Sequence, residues 1–146
     1  MVERTYQLRE LDSIAKELVI AAGQERIWVF QGQMGAGKTT LIKALSRQLK
    51  VVDPVSSPTF GIVNQYETED FQPLYHFDFY RIDDPLEVLE IGVDDYFYSG
   101  NYCWIEWAEN LGGFIPEQFF LIKLEVLSED QRKITYQHLN YAHRNK

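Results

Sequence analysis

Apolar side chains near the start of the chain recur with the period of an amphipathic helix. The recurring positions follow the spacing i, i+3, i+4, i+7, i+8 and i+11, and they are Leu11, Ile14, Ala15, Leu18, Val19 and Ala22. This spacing predicts one helix, and Gly23 is its expected stop because glycine favours the backbone conformation that closes a helix. Leucine and alanine recur in the same way over residues 38–49, and they predict a second helix there.

Short apolar runs and alternating patterns predict strands in the rest of the chain. The sequence Ile27-Trp28-Val29-Phe30 predicts a short buried strand, and a glycine-rich loop over residues 32–37 follows it. The other predicted strands cover residues 60–66, 74–80, 102–107, 119–127 and 133–139. The last two strands flank a polar turn and predict an antiparallel hairpin, while Asp83-Asp84-Pro85 predicts the start of a short helix.

The composition is that of a globular domain. The chain has 146 residues, of which 45% are apolar and 25% charged, so it suits one domain over residues 1–146 and not a disordered chain. Its single cysteine, Cys103, excludes an internal disulfide framework and a cysteine-rich zinc site. The first residues lack the apolar core of a signal peptide, and no run approaches the roughly 18 apolar residues of a membrane span. We therefore expect a soluble, cytoplasmic protein with no membrane partner.

The charge of the chain bears on its partners. It carries 14 lysine and arginine residues against 22 aspartate and glutamate residues, a net charge of −8. Proteins that bind nucleic acid usually present a basic face, because phosphate contacts dominate their affinity. Direct, tight binding to nucleic acid is therefore not expected.

Residues 32–39, Gly-Gln-Met-Gly-Ala-Gly-Lys-Thr, match the phosphate-binding pattern G-x-x-x-x-G-K-[ST] at every fixed position. Glycines let backbone N–H groups turn towards phosphate oxygens, and the N-terminus of the following helix adds its dipole. Lys38 is expected to reach the β- and γ-phosphates, and Thr39 to supply a hydroxyl to Mg²⁺. The predicted nucleotide-binding residues of this loop are Gly32, Gly35, Ala36, Gly37, Lys38, Thr39 and Thr40.

The order of the predicted elements indicates an α/β fold. A strand, a phosphate loop, a helix and further buried strands are typical of the three-layer sandwich of P-loop nucleoside triphosphatases. The C-terminal antiparallel hairpin makes the predicted sheet mixed and only partly parallel.

Several classes of nucleotide-binding protein do not match the sequence. Lys-Thr-Thr follows Gly35-Ala36-Gly37, which excludes the G-x-G-x-x-G dinucleotide motif. Neither an Asn/Thr-Lys-x-Asp motif nor an Asp-x-x-Gly switch occurs, so ATP is favoured over GTP. A hexameric motor needs a longer chain, and the basic pair Arg132-Lys133 is weak evidence for the arginine-rich lid of a small-molecule kinase.

Two carboxylates at the ends of apolar strands are candidates to hold Mg²⁺ or to orient water. Asp78 lies within residues 74–81, and Glu106 follows Tyr102-Cys103-Trp104-Ile105. A carboxylate inside an apolar strand is costly unless it is paired or metal-bound. The alternatives are a salt bridge, with Arg81 as the partner of Asp78, and a solvated strand end.

Four further strings identify a family. After the Gly-x-Gly-Lys-Thr-Thr loop the chain contains, in this order, Ser57-Pro58-Thr59-Phe60, His76-Phe77-Asp78-Phe79-Tyr80-Arg81, Gly92-x-Asp94-Asp95-Tyr96 and Ile105-Glu106-Trp107. In this arrangement, which spans roughly residues 10–135, the chain resembles the TsaE (YjeE) family, the bacterial ATPases of tRNA threonylcarbamoyladenosine synthesis. The family often has Asp where this chain has Gln33 and Leu where it has Met34, so we expect altered loop dynamics or nucleotide affinity and not lost binding.

The resemblance implies ATP hydrolysis in the service of a larger assembly. The family's partners are TsaB and TsaD, and TsaD transfers a threonylcarbamoyl group to an adenosine beside the anticodon of certain tRNAs. The ATPase of the family is not the transferase and resets the complex between turnovers. The resemblance thus implies TsaB- and TsaD-like partners and contact with tRNA only through the complex, in agreement with the acidic charge.

We assign hypothetical roles to three side chains outside the loop. Glu106, preceded by four apolar residues, is the Walker-B-like residue that holds Mg²⁺ through water. Asp78 orients the attacking water or joins the Mg²⁺ shell, and the sequence does not separate these two tasks. Thr59 lies at the place of a first switch segment, where its hydroxyl closes on the γ-phosphate and Mg²⁺. The alternative is that Pro58-Thr59 only starts a strand.

Other side chains are weaker candidates. His76, His138 and His143 lack metal-ligand spacing, and we interpret them as strand or tail residues. Trp107 is interpreted as a core aromatic. The less favoured alternative is that it lines the nucleotide or partner surface. Arg81 is a secondary candidate for an arginine finger acting within the chain.

Two other functions remain open beside the assembly ATPase. One is a stand-alone small-molecule kinase, although no sequence feature marks an acceptor pocket. The other is a nucleotide-gated binding module whose own hydrolysis is negligible. For the adenine base no motif is present, and we expect residues 2–8 and the terminal hairpin to flank it.

Overall fold

The structure, a computed structural model, describes residues 1–33, 35–52 and 62–140. Its strands and helices are, in chain order, β1 (Val2–Gln7), α1 (Leu11–Ala22), β2 (Ile27–Gln31), α2 (Lys38–Gln48), β3 (Val63–Glu67), β4 (Pro73–Asp78), α3 (Glu87–Ile91), α4 (Val93–Phe97), β5 (Tyr102–Glu106), β6 (Gln118–Val126) and β7 (Gln131–Asn140). Segments of 3₁₀ helix lie at Leu8–Glu10 and Ala108–Phe114. Within the described ranges, no helix has both the length and the apolar character needed to cross a membrane.

Seven strands of the described residues form one sheet in the order β1-β7-β6-β2-β5-β4-β3. The central strands β6, β2, β5 and β4 run parallel to one another. The pairs β1/β7, β6/β7 and β3/β4 are antiparallel. The predicted α/β fold, with a mixed, partly parallel sheet and a C-terminal antiparallel hairpin, is therefore confirmed.

Helices α1 and α2 cover one face of the sheet. On this face the fully buried side chains Trp28, Trp104 and Phe120 belong to the same apolar cluster as Leu18 of α1 and Leu41 of α2. The spacing of apolar residues that predicted the two helices is thus the spacing of the side chains that enter this core. Each large side chain buried here contributes roughly 1.5–3 kcal/mol.

The opposite face is covered by α3, α4 and the 3₁₀ segment Ala108–Phe114. Its cluster includes Phe77 and Ile105 from the sheet, Val88 from α3 and Phe97 from α4. Side chains of β4 and β5 therefore alternate between two cores, because successive residues of a strand point to opposite faces. The three layers of the predicted sandwich are present.

Three local features differ from the predictions. Strand β1 was not predicted, because only Tyr6 within it is buried and its pattern shows no apolar alternation. The strand predicted over residues 74–80 ends at Asp78, where the Tyr80 N–H donates to Asp78 Oδ1 at 2.9 Å and turns the chain. The short helix predicted after Asp83-Asp84-Pro85 corresponds to α3, but a second short helix that was not predicted, α4, follows it after Gly92, which has φ +73°.

The strand predicted over residues 60–66 lies partly outside the described residues. Its described part corresponds to β3, which begins at Val63 and pairs with β4. Thr59, together with the interpretation of Pro58-Thr59 as a strand start, falls outside the described residues.

Candidate functional site

The parallel strands β2, β4 and β5 end at the same edge of the sheet, and a cleft lies there. In open α/β sheets, ligands bind at the carboxyl ends of such strands. The cleft has a volume of about 400 Å³, and its lining residues are Gly35, Gly37, Lys38, Thr39, Thr40, Asp78, Glu106 and Trp107. Segments far apart in sequence, the phosphate loop and the two strand-end carboxylates, thus meet at one place.

The phosphate loop connects β2 to α2 by a route that requires glycine. Gly37 has φ +97° and is the residue before the first helical residue, Lys38. This left-handed conformation strains any residue with a side chain. Gly32 is required for another reason, because a Cβ there would approach the Leu124 carbonyl oxygen to 3.1 Å. Glycine at both positions keeps the loop close to β6 and directs the start of α2 at the cleft.

The two remaining predicted loop residues, Gly32 and Ala36, border a neighbouring cleft. That cleft has a volume of about 590 Å³ and is shared between the loop and the β6–β7 hairpin. Gly35 lines both clefts. Ala36 is 2% exposed and packs into the core on the α1–α2 face, so its side chain anchors the loop to the body of the protein.

Lys38 is almost completely buried, with 8% of its surface exposed. Its Nζ lies 4.9 Å from the centroid of the Trp107 ring, a cation–π distance. The Trp107 ring also contacts the ring of Tyr80, with the centroids 4.9 Å apart. Trp107 has φ +61°, which strains a residue with a large side chain. It was interpreted as a core residue, and it packs against the core while also lining the cleft beside Lys38.

Asp78 and Glu106 occupy opposite positions in the parallel pairing of β4 with β5. Burial raises the pKa of the Asp78 carboxyl; the N–H of Tyr80 opposes this rise, and the charge of Glu106 adds to it. Arg81 is exposed, and the described residues contain no ion pair between it and Asp78. The structure therefore does not support the alternative in which Arg81 neutralises this carboxylate.

The donors in the cleft suit Mg²⁺. Thr39, which carries a hydroxyl, and Asp78 and Glu106, which carry carboxylates, all line it. Mg²⁺ prefers oxygen ligands and is usually bound through one or two carboxylates, waters and substrate phosphates. The chemistry of these side chains is consistent with the metal role predicted for them.

His76 is the residue of this site that the sequence analysis left without a role. It is a fully buried residue of β4, and its Nε2 lies 2.8 Å from Glu106 Oε2. Because a carboxylate only accepts hydrogen bonds, Nε2–H is the donor, and Nδ1 on the other side of the ring lies 3.4 Å from the Tyr66 hydroxyl oxygen. The signal in the sequence was the spacing of two from His76 to Asp78, which places both on one face of the strand.

The ionised Asp78 carboxylate is expected to lower the free energy of unfolding of the nucleotide-free protein. Since its pKa is raised on folding, the folded chain disfavours the ionised form relative to the unfolded chain. Asp78→Asn, which keeps an acceptor for the Tyr80 N–H, should therefore raise the midpoint of thermal unfolding at pH 7. This increase in the midpoint should be complete at pH values above the pKa of Asp78 in the folded chain. It should shrink as the pH falls through that pKa, and it should vanish below the ordinary aspartate pKa of 3.8.

Calorimetry of the nucleotide-free protein between pH 3 and pH 8 measures this effect. Glu109→Gln removes an exposed carboxylate three residues beyond Glu106 and should leave the midpoint unchanged. A lower midpoint for Asp78→Asn at pH 7 would contradict the prediction.

Comparison with known proteins identifies relatives of this chain. Residues 5–134 match the family model described as threonylcarbamoyl adenosine biosynthesis protein TsaE. The tRNA threonylcarbamoyladenosine biosynthesis protein TsaE of Bacillus subtilis is 35% identical over 133 residues, which cover 91% of this chain and 82% of that protein. The protein of the same name from Aquifex aeolicus is 39% identical over 134 residues, covering 90% and 87% of the two chains. The crystal structure of Bacillus subtilis YdiB superimposes with a TM-score of 0.70 at 26% identity, covering 99% of this chain and 90% of that one.

Proposed function

Because the chain belongs to the TsaE family, which acts in the biosynthesis of tRNA threonylcarbamoyladenosine, we propose that it binds and hydrolyses ATP in that pathway. The observation that carries the proposal is that Lys38, Thr39, Asp78 and Glu106 all line the same cleft. A phosphate loop and two carboxylates at the ends of neighbouring parallel strands are the parts that P-loop nucleoside triphosphatases use.

Each side chain has a defined task in this proposal. The loop N–H groups and Lys38 hold the phosphates, and the buried position of Lys38 strengthens its attraction for them. Thr39 together with Asp78 or Glu106 would hold Mg²⁺, which would neutralise charge on the phosphates. The carboxylate not used for the metal orients the attacking water. His76 holds Glu106 in place through the 2.8 Å hydrogen bond.

The partners proposed for the chain are TsaB- and TsaD-like proteins, with tRNA reached only through their complex. The net charge of −8 supports this arrangement, since an acidic chain is better suited to docking on protein subunits than to binding tRNA. Thr59 is proposed to close on the γ-phosphate and Mg²⁺ as a switch residue. In this scheme the chain supplies ATP turnover and is not the transferase.

Hydrolysis of ATP by the purified chain, alone and with TsaB- and TsaD-like proteins from the same organism, tests the proposal. Strong stimulation by the partners is expected, since a group supplied by a second subunit can add orders of magnitude in rate. Tight binding of ATP without any turnover would instead indicate a nucleotide-gated binding module. Transfer of phosphate to a metabolite would indicate a kinase.

Variants of the two carboxylates should separate binding from turnover. Asp78→Asn and Glu106→Gln are expected to bind ATP within a few-fold of the parent and to lose about a hundredfold or more in turnover, because each removes a charge that acts at the reacting phosphate. Equilibrium titration with ATP and a phosphate-release assay measure the two quantities. The control is Glu109→Gln, which changes an exposed carboxylate outside the cleft. Parental turnover in both cleft variants would show that the acidic roles are wrong.

A further inference from the structure

The two candidate carboxylates lie at the last paired position of β4 and β5, where the chain leaves the sheet. Asp78 and Glu106 end the parallel pairing of the two strands, and they are followed by Phe79 and Trp107. One further backbone bond joins the two segments, because the Phe79 N–H donates to the Glu106 carbonyl oxygen at 3.1 Å. Contacts from outside the sheet must therefore hold the backbone that follows each carboxylate.

Asn110, in the 3₁₀ segment Ala108–Phe114, is bonded to both of these segments. Its backbone N–H donates to the Trp107 carbonyl oxygen at 3.1 Å. Its side-chain Nδ2 donates to the Phe79 carbonyl oxygen at 2.9 Å and lies 3.5 Å from that of Tyr80. A carbonyl oxygen only accepts hydrogen bonds, so this side of the amide is its NH₂ group. Asn110 thus links the end of β4 to the end of β5, and the link to β4 depends on its side chain.

The Asn110 side chain acts on the same peptide group as the Asp78 carboxylate. The Phe79 carbonyl and the Tyr80 N–H belong to one planar, rigid peptide group, so fixing the direction of one fixes the other. Asn110 Nδ2 holds the carbonyl end of this group, and the N–H end donates to Asp78 Oδ1 at 2.9 Å. The asparagine amide therefore fixes the direction of the donor that holds the Asp78 carboxylate.

The position of Asn110 separates it from the reacting groups. It is partly buried, and it is not among the described residues that line the cleft. Its side chain therefore acts on the candidate site through the backbone and not through a nucleotide.

We propose that Asn110 is a positioning residue, which orients the Asp78 carboxylate in the cleft by fixing the peptide group between Phe79 and Tyr80. The inference rests on the proposed function, because it concerns the carboxylate to which that function assigns water or Mg²⁺. Partners that orient a ligand or a catalytic group from outside typically contribute about tenfold to a hundredfold.

Asn110→Ala should lower the turnover of ATP by about tenfold to a hundredfold and leave ATP affinity within a few-fold of the parent. The reason is that the phosphate loop keeps its contacts while the carboxylate loses its orientation. A phosphate-release assay at saturating ATP, with the TsaB- and TsaD-like proteins present, and titration calorimetry measure the two quantities. Asn110→Gln keeps an amide donor and should retain more turnover than Asn110→Ala.

Asn101→Ala is the matched control for this change. Asn101 lies directly before β5, where it lines a cavity at the beginning of the parallel strands and not the cleft at their ends. This variant should leave both turnover and ATP affinity unchanged.

Amide hydrogen exchange followed by NMR checks the geometry without any reaction. In the nucleotide-free protein the Tyr80 amide should exchange about tenfold faster in Asn110→Ala than in the parent, because its peptide group is then held at one end only. The rate should not change in Asn101→Ala. An unchanged rate at Tyr80 in Asn110→Ala would overturn the inference.

A double variant distinguishes positioning of Asp78 from general support of the fold. If Asn110 acts through Asp78, adding Asn110→Ala to Asp78→Asn should lower turnover by less than about threefold beyond Asp78→Asn alone. Losses that multiply in full would assign Asn110 to the fold and overturn the inference. If the parent does not hydrolyse ATP, the proposed function fails and this inference fails with it. If the parent hydrolyses ATP and Asn110→Ala does so at the same rate, only this inference is overturned.

Discussion

Lys38→Ala is expected to weaken ATP binding by about a hundredfold or more. The ammonium group of Lys38 lies in the cleft at the first position of α2, with 8% of the residue exposed. It is proposed to contact two phosphates, and each charge-assisted hydrogen bond contributes about 1.5–3 kcal/mol. Loss of two such contacts exceeds the roughly 2.8 kcal/mol that corresponds to a hundredfold change in affinity.

Titration calorimetry with ATP and Mg²⁺ measures this loss. Lys43→Ala is the matched control, because Lys43 lies on the same helix but is exposed and outside the cleft. Lys38→Met keeps most of the stem that packs beside Trp107, so a similar loss in this variant assigns the effect to the charge. Parental affinity in Lys38→Ala would show that the loop is not the nucleotide site.

His76→Leu is expected to lower the free energy of unfolding by about 3–5 kcal/mol. His76 and Glu106 are 0% and 4% exposed, so the variant leaves the Glu106 carboxylate buried without its hydrogen-bond donor. Breaking a buried pair by removing one partner costs about this much, because the remaining charge is uncompensated. Urea unfolding followed by circular dichroism measures the change.

A double-mutant comparison distinguishes the effect of losing the His76–Glu106 hydrogen bond from the effect of changing the shape of the His76 side chain. The double variant His76→Leu with Glu106→Leu removes both polar partners, and it should recover much of the stability that His76→Leu alone loses. His76→Gln keeps an N–H donor and should lose less than His76→Leu. Equal losses in the single and double variants would mean that the Glu106 carboxylate does not depend on His76.

The local pattern of the chain was sufficient for the elements whose structure depends on nearby residues. Helix α1 begins and ends where the apolar spacing and Gly23 predicted, because the side chains that form its buried face are three or four residues apart. The phosphate loop was recognisable because its glycines are required by local geometry. At Gly32 the chain passes close to Leu124, and at Gly37 the backbone has a positive φ. Strand β1 escaped prediction because its one buried side chain, Tyr6, creates no alternating pattern.

The sequence by itself thus determined the type of fold, the loop and the identity of two candidate carboxylates. Only the tertiary structure decided that Asp78 and Glu106 are opposite each other, that His76 is bonded to Glu106, and that Asn110 is bonded to Phe79. The reason is physical. Helix periodicity and turn geometry are set by neighbours in the chain, whereas the order and register of parallel strands are set by contacts between segments tens of residues apart, which no local pattern encodes.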